Sequence, residues 1–269
     1  MLMKFDFDTI GEWAPRLSVA LDALVPNRLR ERVRNGPVAW LGDALDIILE
    51  DVERCDLIAV TRAWLRDQTI VAYHGSRLSA NEITSVRAGG LMALDPAARG
   101  DRLEKTLSRH PSWAEASNGL GAAVRDFGDG QFGRRQGQAH LTISRGALLT
   151  AFNHYLVEGS EFDQAVAVEL LGKGARALLQ EGRLPVLFTV EVPGFRAIEV
   201  GERWLHDGEM SGLVRLVLQF WANWLYDPAF DPGTQHVDFG LMFYEDIPPA
   251  WVADANLIDE ARLLETYRR

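Results

Sequence analysis

Apolar residues recur at three- and four-residue intervals from the start of the chain. Ile10, Trp13, Leu17, Ala20, Leu21 and Leu24 form one such stripe, and Pro26 closes it. A second helix is expected over Asn27–Arg34. A third follows Gly36-Pro37 and carries Trp40, Leu41, Ala44, Leu45, Ile48 and Leu49. No strand-like alternation appears before Thr69, so residues 1–67 read as a helical N-terminal subdomain and 68–269 as a separate α+β domain. The pattern changes at Thr69-Ile70-Val71-Ala72-Tyr73, a β-branched and aromatic run with polar residues on either side, as in a short buried strand. Ser79 with Glu82 three residues on then gives capping-box spacing for a helix that ends at Gly89-Gly90.

Residues 95–137 are polar and glycine-rich, with one helix expected over Asp101–Ser108 and a loop from Phe127 to Gly137 that contains Arg134 and Arg135. Next comes Gln138–Ser144, where His140, Thr142 and Ser144 alternate with Ala139, Leu141 and Ile143; such a strand carries three hydrogen-bonding side chains on one face. Helices are expected over Ala147–Leu156 and from Gly159 through Leu179. A strand over Val186–Val192 ends at Pro193-Gly194, and Leu213–Leu225 forms a helix with Phe220, Trp221 and Trp224 on it. An aromatic stripe at helical spacing is core more often than cofactor box. The last expected strand, Val237–Tyr244, leads to Ile247-Pro248-Pro249 and a C-terminal tail.

The chemistry that stands out is His74-Gly75-Ser76 at the end of the first strand. Glycine there offers bare backbone beside an imidazole, which suits a planar ligand. Strand, His-Gly-Ser, capped helix and Gly-Leu together resemble the opening of the ADP-ribosyltransferase fold, and the resemblance extends over roughly residues 69–252. It implies an ADP-ribosyltransferase-like split β-sheet with NAD as substrate. It further implies that His74 hydrogen-bonds the nicotinamide ribose and that Gly75 pairs through its backbone with the carboxamide. By the same resemblance Ser76, His140, Thr142 and Ser144 line the cofactor site, and Tyr155 supplies an aromatic face for nicotinamide. The family's catalytic carboxylate, usually a Glu, falls here on Asp238 at the start of the closing strand or on Glu245 at its end, with Asp238 preferred. This departure leaves two other readings open: a binding or interaction protein that keeps the fold without catalysis, and a relative of the NAD-dependent RNA 2′-phosphotransferases.

Composition narrows these readings. The chain of 269 residues carries a net charge of −10, with 28 Lys and Arg against 38 Asp and Glu, which opposes non-specific binding to nucleic acid and so weighs against the RNA enzyme. The lone Cys55 excludes an intrachain disulfide and a Cys-rich zinc site, and acidic Glu53 and Asp56 beside it would raise a thiol pKa, so it is not expected as a nucleophile. His236 with Asp238, and His206 with Asp207, lack the further ligands of a metal centre, so no metal is expected. No stretch reaches the roughly 18 uninterrupted apolar residues of a membrane span. A cytoplasmic bacterial protein, or a toxin-like effector or phage-defence protein delivered without a visible signal, is the expectation. Its partners would be NAD, an acceptor that is protein, nucleic acid or small molecule, and a partner protein.

Overall fold

The computed structural model describes residues 3–129, 136–203, 212–235, 237 and 239–267. In chain order β1 (Met3–Asp6) is followed by α1 (Ile10–Ala20), α2 (Asn27–Asn35), α3 (Asp43–Leu49) and α4 (Arg54–Arg66). Strand β2 (Gln68–Leu78) leads to α5 (Ala80–Gly89), α6 (Pro96–Leu107), α7 (Trp113–Ala116) and α8 (Leu120–Asp129). Strand β3 (Ala139–Thr142) precedes α9 (Arg145–Leu149), α10 (His154–Val157), α11 (Glu161–Leu171) and α12 (Arg176–Gln180). Strand β4 (Leu184–Pro193) is followed by α13 (Gly194–Gly201) and α14 (Gly212–Tyr226), and β5 (Gly240–Phe243) by β6 (Val252–Leu257) and α15 (Glu260–Tyr267).

The protein is α+β. Among the described residues six strands form one sheet in the order β5-β3-β2-β4-β6, with β1 beside β2. The pairings are mixed: β1 lies parallel to β2 with Phe5 opposite Ile70, and β4 lies antiparallel to β6 with Phe188 opposite Ala255. No described helix is long and apolar enough to cross a membrane.

The boundary expected at residue 67 does not delimit a compact unit. The first unit comprises Met1–Ala72, Thr142–Gly146 and Glu191–Leu241; the second comprises Tyr73–Leu141, Ala147–Val190 and Met242–Arg269. The N-terminal helices do not suffice as a subdomain because their core is completed from distant sequence. In the first unit, α14 packs on α1, α2, α3 and α4. Phe220 stacks 4.6 Å from Phe7, and the buried indole of Trp221 donates to Ser18 Oγ at 2.8 Å. An unexpected strand, β1, also lies within the segment read as helical: Phe5 is fully buried and sits 5.0 Å from Trp13.

In the second unit α6, α8, α11 and α12 share a core of Leu103, Leu107, Val124, Phe162, Val166 and Leu179. Residues 95–129 are therefore largely helical: the helix expected over Asp101–Ser108 is α6, which starts earlier, and α7 and α8 add helices that the polar, glycine-rich composition did not signal. A further cluster in the second unit holds Leu156, Val157 and Leu263. The capping box forms as its spacing requires: Ser79 Oγ accepts from Glu82 N, and Glu82 Oε2 accepts from Ser79 N at 2.8 Å. The helix so started ends at Gly90, whose φ of 89° lies in the left-handed region and whose missing Cβ would stand 2.0 Å from the Ile247 carbonyl oxygen. Leu91 and Ile247 exchange backbone hydrogen bonds there, at 3.0 and 2.8 Å.

Gly90→Ala should therefore cost about 2–4 kcal/mol, because a methyl group must displace a paired backbone while holding a positive φ. Chemical denaturation checks this; a loss below about 1 kcal/mol would mean that the Ile247 segment yields freely.

Candidate functional site

Side chains alternate along β2, so His74 and Ser76 share one face and Gly75 and Arg77 the other. His74 and Ser76 are half-buried, whereas Gly75 and Arg77 are buried. The strand is longer than its apolar run suggests, and His74-Gly75-Ser76 lies within it rather than beyond its end.

The imidazole of His74 is fixed at one nitrogen: Nδ1 lies 2.9 Å from the carbonyl oxygen of His140 on the neighbouring strand β3, so Nδ1 carries the proton and donates. Its ring is 6.3 Å from that of Phe188 on β4. Burial lowers the His74 pKa from 6.5, the His140 carbonyl opposes that shift, and the positive charge of Arg99 adds to it. At neutral pH His74 is thus a neutral ring whose Nε2 lone pair has no hydrogen-bond partner among the described residues. Such a nitrogen accepts a hydrogen bond from a hydroxyl.

The neighbouring strands carry further side chains that are not fully covered. On β3 the exposed His140 lies between buried Ala139 and Leu141, and its Nε2 is 3.0 Å from Gln138 Oε1. On β5, Met242 is half-buried ahead of buried Phe243. Phe188 and Arg99 escaped sequence reasoning, because one looks like ordinary strand core and the other lies in a polar, glycine-rich stretch with no pattern of its own.

Gly75 acts differently from the expectation that it clears space for a planar ligand. A Cβ there would stand 3.3 Å from Leu148 Cδ2 and from Leu156 Cδ2, on the side of β2 away from His74. The glycine lets α9 and α10 pack on the sheet. Arg77 follows on that same side, donating to the Val157 carbonyl at 3.4 Å and pairing with Glu260 at 2.7 Å.

Tyr155, on the short helix α10, stacks on His154 with ring centroids 4.0 Å apart. Glu245 is exposed on the bend after β5, next to Asp246, whose Oδ1 accepts from Ala93 N at 2.7 Å. Asp238 lies outside the described residues, as do His236, His206, Asp207, Arg134 and Arg135.

Thr142 and Ser144 belong to the first unit. The alternation holds through Ile143, with Leu141 and Ile143 buried and Thr142 half-buried. It fails at Ser144, which is past the end of β3 and fully buried instead of facing a cleft. Its hydroxyl donates to Asp8 Oδ1 at 2.9 Å, and Asp8 Oδ2 accepts from the backbone N–H of Arg145 at 2.7 Å and of Gly146 at 3.1 Å. Asp8 thereby satisfies the exposed donors at the start of α9, the usual task of a capping residue, from 136 positions away. Burial raises the Asp8 pKa above 3.8, against these three hydrogen bonds, which lower it.

No protein-family model, curated protein or solved structure matches this chain.

Asp8→Ala would remove three hydrogen bonds, to the Ser144 hydroxyl and to the backbone N–H groups of Arg145 and Gly146, and should cost about 2–4 kcal/mol in denaturant unfolding. The pH dependence follows from the raised pKa. The protonated form is favoured by folding, so this contribution is full below pH 3.8 and is lost as pH rises through the raised folded value. Asp8→Asn, which cannot ionise, should show a smaller decline than wild type over that window; parallel stability curves would remove Asp8 as the titrating group.

Proposed function

We propose that the protein is an NAD-dependent ADP-ribosyltransferase-like enzyme whose nicotinamide ribose is held at His74. The observation that carries this reading is the state of that ring. Nδ1–H is committed to the His140 carbonyl, and burial beside Arg99 disfavours protonation, which leaves Nε2 as a fixed acceptor on the half-open side of β2. A ribose hydroxyl is a donor of the right kind. In this reading the Gly75 backbone pairs with the carboxamide, and Ser76, on the same face of β2 as His74, extends the polar lining.

In the reaction, the bond between nicotinamide nitrogen and the ribose anomeric carbon breaks, and its electron pair leaves with neutral nicotinamide. The acceptor's nucleophile then bonds to that carbon and gives up its proton. Positive charge that develops on the ribose in between is opposed by a carboxylate. Asp238 and Glu245 are the two assigned to this role. His74 orients the ribose so that the bond to be broken is presented to the acceptor, a contribution of position rather than of proton transfer.

A second reading, NAD binding without transfer, draws on two observations. Ser144 is consumed by its bond to Asp8, and Tyr155 by its stack on His154, so two of the residues assigned to the cofactor have structural employment.

Calorimetry with NAD tests the first step: His74→Ala should weaken binding about tenfold, the worth of one well-placed hydrogen bond, with folding retained. Binding to wild type should hold at neutral pH and weaken only below pH 6.5, as the depressed His74 finally protonates and Nε2 becomes a donor. Unchanged affinity in His74→Ala removes His74 from the site. Nicotinamide release by Asp238→Ala and Glu245→Ala then separates the two readings: loss in either variant names the carboxylate, and binding without release by wild type favours the non-catalytic protein.

A further inference from the structure

A cavity of about 460 Å³ lies within the first unit, between α1, α2 and the last turn of α14. Asn27, Arg30 and Arg34 are spaced by three and four residues, so they share one stripe of α2, beside the stripe of Leu29 and Val33 that is buried. That polar stripe lines the cavity, and Pro15, Val19, Trp224 and Leu225 give it an apolar wall. Val19 is 78% exposed, so the wall is open to water at its α1 edge.

The guanidinium of Arg30 is held at two of its three nitrogens. Nε donates to the Val25 carbonyl at 2.9 Å, and Nη2 donates to the Ser18 carbonyl at 2.8 Å and to Asp22 Oδ1 at 3.1 Å. Nη1 has no partner among the described residues and is not sealed from solvent, so a rigidly placed pair of N–H donors is left over on a residue of the cavity wall. Arg34, one turn further along α2, is exposed, and its guanidinium makes no hydrogen bond or ion pair among the described residues. Asp22 is the one carboxylate among the described residues that line the cavity, and Arg30 already occupies it. Two guanidinium groups therefore stand against one carboxylate, and the lining carries one positive charge in excess within an acidic chain.

We propose that this cavity binds a small aromatic carboxylate, with the carboxylate between Arg30 and Arg34 and the ring on the wall that contains Trp224. A planar guanidinium matches the two oxygens of a carboxylate, and a donor pair already fixed by three other hydrogen bonds loses little freedom on binding. A bare inorganic anion would satisfy the two guanidinium groups but leave Pro15, Val19, Trp224 and Leu225 facing water. A flat apolar body covers that surface and stacks on the indole, the usual division of a small-molecule site into an apolar wall and a few placed polar groups.

Calorimetry without NAD, at low ionic strength, tests the cavity independently of the role assigned to His74. Indole-3-acetate and phenylacetate are the probes, indole-3-acetamide is the uncharged control, and inorganic phosphate is the anion without an apolar body. At least one of the acids should bind, and the amide and phosphate should each bind at least about tenfold more weakly. Arg34→Gln removes a guanidinium that holds nothing else in place, so it should weaken binding about tenfold with an unchanged melting temperature. Val19→Asp, a second exposed change, puts a carboxylate on the apolar wall and should weaken binding at least as much. Arg28→Gln controls for net charge: Arg28 is exposed on the same helix and does not line the cavity, so affinity should hold. The proposal is overturned if neither acid binds, if the amide or phosphate binds as tightly as the acids, if Arg34→Gln and Val19→Asp leave affinity unchanged, or if Arg28→Gln weakens binding as much as Arg34→Gln.

Discussion

The alternation of side chains along β2 is the constraint from which the rest of the second unit follows. A strand sends successive residues to opposite faces, and in Tyr73-His74-Gly75-Ser76-Arg77 this puts imidazole and hydroxyl on one side and a glycine and a guanidinium on the other. The glycine side accepts Leu148 and Leu156 at contact distance, so α9 and α10 can lie close to the sheet. With that side filled, the polar pair has only the other side to use. The imidazole then finds its partner within the sheet, in the backbone of β3, instead of spending it on a side chain that could swing away. A one-residue shift in register would bury His74 under α10 and expose the packing face.

What could be read from the sequence was local. The capping box at Ser79 and Glu82, the aromatic stripe of α14 and the apolar run of β2 all rest on interactions within four residues of one another, and each formed where its spacing demanded. Strand β1 was not legible: Met3-Lys4-Phe5-Asp6 is too short to show a period, and it becomes a strand only because residues 68–71 are there to pair with it. Strand β6 was hidden for the same reason. Its residues are mostly exposed, so no apolar pattern marks them, and the backbone of β4 defines them.

The candidate site divides along the same line. His74 on a strand beside a hydroxyl-bearing strand could be inferred from short motifs, whereas the uses of Gly75 and Ser144 depended on residues far away in sequence. Glycine in a strand signals close approach but not what approaches, and here leucines do. Ser144 fits an alternating polar pattern, yet a carboxylate 136 residues earlier claims its hydroxyl. Asp8 had no signal of its own, since a lone Asp after a short strand is ordinary turn chemistry.

Net charge is a poor guide to the ligands such a molecule takes, and the second unit illustrates why. The chain as a whole carries −10, yet around Arg99 the balance is reversed: among the described residues the ion pairs of Arg99, Arg102 and Arg183 are made with Glu82 and Asp163, at 2.9–3.8 Å. One positive charge is left over in that network, and its field reaches His74, where it helps to keep the imidazole neutral. Local charge there is thus cationic within a chain whose net charge is negative. Elsewhere in the same unit the rim of a cavity beside α11, formed by Glu158, Glu161 and Glu169, is rich in carboxylates. At physiological ionic strength each patch acts over about 8 Å, so the two fields can differ in sign without cancelling at either place. Local arrangement, set by which face of a helix or strand each charge occupies, determines what each surface can attract.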